Sequence, residues 1–415
     1  MEGKSLIRSL RLLGFLSYGG RSQEVELGPL NVLIGPNCSG KSNFIAALRL
    51  LKWAPRDLNV PIREGGGVTE WLWKGPLGQR EDDRRPPSFA MIEAVVAFPD
   101  GPRPLRHAIS FTATGQRLDV LKEVIQNAGR LRGDNGPVCF LCSQRGAHNA
   151  ELSARTDLSA QAGTGVGREE RPYPLEKLPT DQSVLSQFRD PAQYPEISYL
   201  GRAYDSIRVY ENLATGRGAP VRTPQRTDQA GDFLAEDGSN LGMVLSDLDA
   251  QPGMSAAISE KLGAFYPRAE RVVPRVHGAT IQVLLLERGT HQPIPATRLS
   301  DGFLRYLRLL TVLCHPSPPP LICIEEPELG LHPDVVGTVA ELLVEASRRT
   351  QLIVTTHSDL LVSALSDVPE AVLVCERDED GTHLRRLEKD KLKEWLDEYT
   401  LGDLWLRGKI GGTTT

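Results

Sequence analysis

Apolar residues dominate the run Leu30-Asn31-Val32-Leu33-Ile34, which stops abruptly at a glycine, and beyond the glycine-rich turn Phe44, Ile45, Leu48 and Leu51 recur at helical spacing. A short buried strand, a loop and an amphipathic helix are predicted in that order. The same logic returns near the other end of the chain. Pro320-Leu321-Ile322-Cys323-Ile324 and Leu352-Ile353-Val354-Thr355 read as two more buried strands, with Val335, Val339, Leu342, Leu343 and Ala346 marking a helix between them. Ile7 to Leu16 is strand-like as well, and Leu392, Trp395 and Leu396 mark a last helix. Strands alternating with helices in this way predict an α/β fold on a largely parallel, helix-covered sheet.

Between Gly115 and Arg275 the pattern changes, because Gly, Pro, Arg and Gln become frequent and the apolar positions keep no sustained period. An inserted mixed or helical lobe of short helices and loops is expected there. No heptad is maintained, so no long coiled coil is expected, and no internal repeat is visible. The division that follows is 1–115 for the first half of the α/β unit, 116–275 for the inserted lobe and 276–388 for the second half. Residues 389–415 form a C-terminal helix and a loose Thr413-Thr414-Thr415 tail.

Composition then narrows the function classes. A chain of 415 residues is long for one average domain, and 40% hydrophobic with 24% charged residues fits a soluble globular protein. The net charge of -5 argues against a surface coated in basic residues for indiscriminate nucleic-acid binding and leaves room only for a local basic groove. No apolar run could cross a bilayer, and Met1-Glu2-Gly3-Lys4-Ser5 lacks the apolar core of a secretory signal, so a cytoplasmic location is expected. Six scattered cysteines make no disulfide framework. Cys139 and Cys142 have metal-ligand spacing with His148 nearby, yet no second cysteine pair completes a tetrahedral site, and they read as ordinary thiols.

The chemistry sits at the ends of the predicted strands. Gly35-Pro36-Asn37-Cys38-Ser39-Gly40-Lys41-Ser42 meets every fixed position of the phosphate-binding loop G-x-x-x-x-G-K-[ST], and Asn43 follows it into the helix. Its glycines let backbone N–H groups converge on phosphate oxygens, Lys41 reaches the β- and γ-phosphates, and Ser42 holds magnesium. Glu325 and Glu326 close the strand 321–324, with Glu325 expected to face the magnesium and Glu326 the attacking water, as general base or water-positioning group. Ser300, Asp301 and Gly302 begin an apolar-periodic helix and offer a second anion site at its start. His357 ends the strand 352–355.

The order of phosphate loop, L-S-D-G, I-E-E-P-E, G-L-H-P and T-T-H-S resembles the ABC-type ATPase heads of the RecF, structural-maintenance-of-chromosomes and OLD proteins, over residues 1 to 115 and 276 to 377. The resemblance implies an ABC-type P-loop NTPase head that uses ATP and Mg2+. Lys41 and Ser42 would be Walker A, Glu325 and Glu326 Walker B, Ser300 to Gly302 the signature, Gly330 to Pro333 the D-loop and His357 the switch histidine. It also implies a homodimer in which the signature of one subunit meets the γ-phosphate held by the other. Glu325 stands where aspartate is more usual, and Asp301 replaces a glycine of the transporter-type signature, so slow turnover is expected. Gln79 is the expected Q-loop residue.

Pro224 to Asp228, Glu236 to Leu241 and Leu401 to Trp405 are similar to bacterial "AAA family ATPase" proteins of the OLD-like group, which often act in phage defence or DNA maintenance beside a separately encoded effector. The resemblance thus implies an ATP-gated switch partnered by a nuclease. A RecF-like repair ATPase binding duplex DNA directly stays open beside it, and a transporter motor is a third reading that the long polar insertion disfavours. Arg202, Arg208, Arg217, Arg222 and Arg226, with Tyr204 and Tyr210 among them, could track a phosphate backbone or serve solubility and subunit contact. Asp378-Glu379-Asp380 resembles the D-x-D of a Toprim nuclease site, but the chain after His357 is expected to be used up by a strand and a helix. A solvated turn is the favoured reading.

Overall fold

The computed structural model describes residues 3–21, 23–75, 89–129, 138–144, 149–157, 166–174 and 179–411. Gln79, His148 and the Thr413–Thr415 tail lie outside them. At the centre is a six-stranded sheet, whose elements and flanking helices are labelled in chain order: β1 (Leu30–Ile34), α1 (Lys41–Trp53), β2 (Arg208–Tyr210), α2 (Asp301–Leu313), β3 (Leu321–Glu325), α3 (Pro333–Ala346), β4 (Gln351–Thr355), α4 (Asp359–Ser363), β5 (Val372–Asp378) and β6 (Gly381–Arg386). The strand order is β2-β3-β4-β1-β5-β6, parallel throughout except for β6, which returns antiparallel from β5.

Successive residues of a strand face opposite sides of its sheet, and here both sides are covered. Val32, Ile322, Ile324, Val354 and Val374 pack into one core with α2 and α3. Leu33, Cys323, Ile353, Leu373 and Cys375 pack into the other, against α1. That is why these strands read as near-continuous apolar runs in the sequence.

The second core is closed by an eight-stranded antiparallel sheet with the order 24–26, 7–13, 90–96, 105–114, 117–127, 139–144, 149–157 and 166–174. Gln351 pins this sheet to β4: its Oε1 accepts from the Ile7 amide at 2.9 Å and its Nε2 donates to the Ile7 carbonyl at 2.7 Å. A smaller sheet, built on the hairpin Ala269–His277 and Thr280–Glu287, packs with the helices Leu241–Asp249 and Met254–Phe265 into the first core.

Of the inserted segment, the described stretches 117–127, 139–144, 149–157 and 166–174 form strands of the antiparallel sheet, and its described helical elements begin at Val184. The boundary expected at 115/116 falls in the turn of the hairpin that pairs Thr114 with Arg117, and that at 275/276 falls inside the strand Ala269–His277. Buried polar residues hid the strand period. Glu123 is 1% exposed and accepts from Ser183 Oγ at 2.6 Å and the Val184 amide at 2.9 Å, and His107 Nε2 lies 2.9 Å from it. Asp119 accepts from Thr114 Oγ1 at 2.7 Å. Among the described residues the longest helix is α3, with 14 residues, and no helix is long and apolar enough to cross a membrane.

Candidate nucleotide-binding site

The loop between β1 and α1 is built from backbone geometries that its residue types permit. Gly35 has φ 147° and Gly40 φ 105°, and a Cβ at Gly35 would meet the Cys375 carbonyl. Around the turn Tyr18 OH donates to the Gly40 carbonyl at 3.1 Å, and Thr382 Oγ1 bonds Ser17 Oγ and the Ser39 carbonyl, each at 2.8 Å. Asn43 Nδ2 donates to Ser17 Oγ at 2.8 Å. The loop is therefore braced from β6 and from the 14–18 turn, two places with no sequence signal.

Lys41 folds over the loop, its Nζ donating to the carbonyls of Gly35 at 2.8 Å and Pro36 at 2.9 Å. Burial holds its pKa below the ordinary lysine value, against the opposing pull of Glu326 and Glu325. Ser39 Oγ is buried with no hydrogen-bond partner in the structure. A buried unpaired hydroxyl in this glycine-bounded loop fits a ligand that supplies acceptors, as phosphate oxygens do.

From β3, Glu325 reaches the start of α1: Ser42 Oγ donates to its Oε2 at 3.1 Å. Burial pushes the Glu325 carboxyl up to about 7, with the Ser42 hydrogen bond pulling the other way and Glu211 and Glu326 adding to the rise. A hydroxyl and a carboxylate side by side are hard oxygen donors of the kind Mg2+ prefers. Glu326 follows with φ 44°, a strained backbone for a non-glycine residue. Its amide donates to the Thr355 carbonyl at 3.0 Å, and its Oε1 lies 3.9 Å from His357 Nε2. Burial, reinforced by the Lys41 charge, pulls the His357 imidazole below its ordinary value.

Two acidic residues here had no role in the sequence reading. Glu328 Oε1 accepts from Thr356 Oγ1 at 2.6 Å and from the His357 amide at 3.1 Å, fixing the turn that carries the histidine. Glu211, just past β2, takes a hydrogen bond from Arg49 of α1 at 3.3 Å and adds its charge to the surroundings of Glu325.

Ser300 caps α2, its Oγ accepting from the Phe303 amide at 3.2 Å. Asp301 is paired with Arg222 at 2.6 Å, and a Cβ on Gly302 would come to 3.0 Å from the Gly330 carbonyl. Arg305 Nη1 donates to the Leu329 carbonyl at 2.6 Å, joining α2 to the 329–333 turn. The hydrogen bonds of Ser300 and Asp301 thus run within their own turn and to Arg222 and Thr215, not to the phosphate loop.

The chain matches the family described as "AAA domain, putative AbiEii toxin, Type IV TA system" over residues 30–363. It belongs to that family. Over 403 residues it is 22% identical to the Old nuclease of Escherichia phage P2, covering 90% of this chain and 60% of that protein, so the chain spans 60% of its relative's length. Its fold is that of ABC-type heads. The Smc head bound to the C-winged helix domain of ScpA superposes with TM-score 0.57 at 13% identity, covering 93% of this chain and 99% of that one. The Smc head with an extended coiled coil bound to the C-terminal domain of ScpA, from Pyrococcus furiosus, gives 0.50 at 13% identity, covering 95% and 99%. The protein is an ATPase-type P-loop NTPase of the AAA family with the fold of an Smc head.

The motifs outside this site have structural roles. Asp378 accepts from the amides of Asp380 at 2.8 Å and Gly381 at 3.1 Å, and Asp380 pairs with Arg21 at 2.8 Å, so these carboxylates close the β5–β6 hairpin. Tyr204 and Tyr210 are fully buried, bonded to His107 and the Leu234 carbonyl, and offer no face for base stacking. Arg208 and Arg222 donate to backbone carbonyls, and Arg226 pairs with Asp228. Cys139 is exposed and donates to the Leu141 carbonyl at 3.2 Å.

Proposed function

We propose that this protein binds ATP with Mg2+ at the Lys41 loop, hydrolyses it, and uses the nucleotide to hold two copies of the chain together. The observation that carries this reading is the meeting of Ser42 and Glu325 at 3.1 Å beside Lys41, with Glu326 and His357 close by. Lys41 would turn from the loop carbonyls to the β- and γ-phosphates, and Gly35 to Asn43 would wrap the phosphate chain. Ser42 and Glu325 would hold the Mg2+, which when bound would offset phosphate charge. Glu326 would take the proton of the attacking water, with His357 beside it near the γ-phosphate.

Ser300 and the first amides of α2 would be offered to the nucleotide of the second copy. A capped helix start is an anion site in its own right, and its own hydrogen bonds leave the phosphate loop of its subunit untouched. The 22% likeness to Old nuclease supports a DNA-linked switch, with anti-phage defence beside a separately encoded nuclease as the setting. The engagement of Asp378 and Asp380 in a hairpin supports placing nuclease chemistry in that partner.

ATP titration calorimetry with Lys41→Ala tests the reading. Loss of binding is expected, because Lys41 supplies the charge that meets the β- and γ-phosphates; wild-type affinity would refute the assignment of the phosphate site.

A further inference from the structure

In the proposed dimer, the turn before α2 sets a carboxylate beside the place meant for a phosphate. Asp301 is the first residue of α2, and its side chain is 69% exposed next to Ser300. Left unpaired, it would repel the γ-phosphate that Ser300 is offered to.

Arg222 meets that charge. It lies in the single turn Pro220–Arg222 of the inserted segment, 79 residues from Asp301, and is 8% exposed. Its Nη2 donates to Asp301 Oδ1 at 2.6 Å. Its Nη1 donates to the carbonyls of Leu299 at 2.6 Å and Ala296 at 3.1 Å, and its Nε donates to the Thr215 carbonyl. One planar fork of donors thus fixes the backbone from 296 to 299 and the carboxylate at 301 together, which a lysine ammonium has no geometry to do. The hydrogen bond from Arg222 also holds the Asp301 carboxyl below its usual range. Arg305 faces Asp301 too, but its Nη1 is committed to the Leu329 carbonyl.

We infer that Arg222 is a positioning residue of the shared site: it neutralises Asp301 and holds the 296–301 turn so that Ser300 and the α2 amides can meet a phosphate carried by the second copy. The inference rests on the dimeric reading above. It gives the inserted segment a part in hydrolysis without any contact to the nucleotide of its own subunit.

The test uses ATP-driven dimerisation, read by light scattering in the Glu326→Gln background, with ATP affinity from calorimetry. Arg222→Gln should weaken dimerisation about tenfold or more, because the Asp301 charge is left facing the phosphate and the 296–301 turn loses its bonds, while ATP affinity at the Lys41 loop stays within the error of the titration. Arg222→Gln combined with Asp301→Asn should recover most of that loss, because the charge that needed a partner is gone. Asp301→Asn alone, with every carbonyl bond of Arg222 intact, should tighten dimerisation. A double variant no better than Arg222→Gln, with wild-type melting temperature, would overturn the inference. So would an Asp301→Asn protein that no longer dimerises, a result that holds even if Arg222→Gln does not fold. Absence of ATP-driven dimers in the Glu326→Gln parent would instead refute the dimeric reading, and this inference with it.

Discussion

Ser42 and Glu325 stand 283 residues apart in the chain, yet the serine hydroxyl donates to the carboxylate at 3.1 Å. The contact exists because β1 and β3 lie in one parallel sheet, separated only by β4, so that the loops leaving their C-terminal ends converge. It also turns the two adjacent glutamates to different partners. Glu325 is turned to Ser42 and Glu326 toward His357.

That division predicts different outcomes for the two conservative variants. Glu326→Gln keeps shape and hydrogen bonding but loses basicity, so ATP turnover should fall about a hundredfold or more while ATP stays bound. Glu325→Gln should weaken the Mg2+ dependence instead. Steady-state ATPase assays across a Mg2+ titration separate them. Normal hydrolysis by Glu326→Gln with none by Glu325→Gln would reverse the roles.

The buried Glu325 carboxyl also predicts a pH dependence of stability. Burial raises its pKa from 4.5 to about 7 in the folded protein. The folded state therefore holds this proton more tightly than the unfolded one, and the stability so gained is present below about 4.5 and lost as the pH rises through about 7. In chelator, the wild-type melting temperature should fall over that window, and Glu325→Gln should flatten the fall. Identical pH profiles for the two proteins would contradict the burial of this charge.

Glu328 predicts a third effect. It touches neither Lys41 nor Ser42 by any hydrogen bond, but holds Thr356 and the His357 amide. Glu328→Ala should lower kcat by about tenfold to a hundredfold through misplacement of the His357 turn, with little change in ATP affinity. Comparing kcat with a calorimetric Kd checks this. A variant whose ATP binding collapses together with its rate would place Glu328 in binding.

The sheet and its motifs were legible because both faces of β1, β3 and β4 are buried, leaving apolar runs that end at Gly35, Glu325 and Thr355. The strand 117–127 was not, since Asp119 and Glu123 sit at buried positions where an alternating pattern needs apolar residues. Nor could spacing alone show that Glu328 serves His357, because a glutamate after a strand looks like a solvated turn. The inserted motif Glu236 to Leu241 is similar. Glu236 bonds Lys52 of α1 and the Val209 amide at 2.6 Å, and Gly238, at φ 75°, lies against the buried Arg308, whose Nη2 donates to the Glu236 carbonyl at 2.7 Å. Its residues matter through partners far away in sequence.

In the proposed dimer each nucleotide site takes Lys41 from one copy and Ser300 from the other. Mixing Lys41→Ala with Ser300→Arg protein tests it most directly. Each variant alone has no intact site, whereas a heterodimer has one site with both residues intact and one with both defective. With subunit exchange verified by labelled protein, ATPase activity absent from either variant should return in the mixture. A Ser300→Arg protein that hydrolyses ATP normally as a dilute monomer would contradict the account.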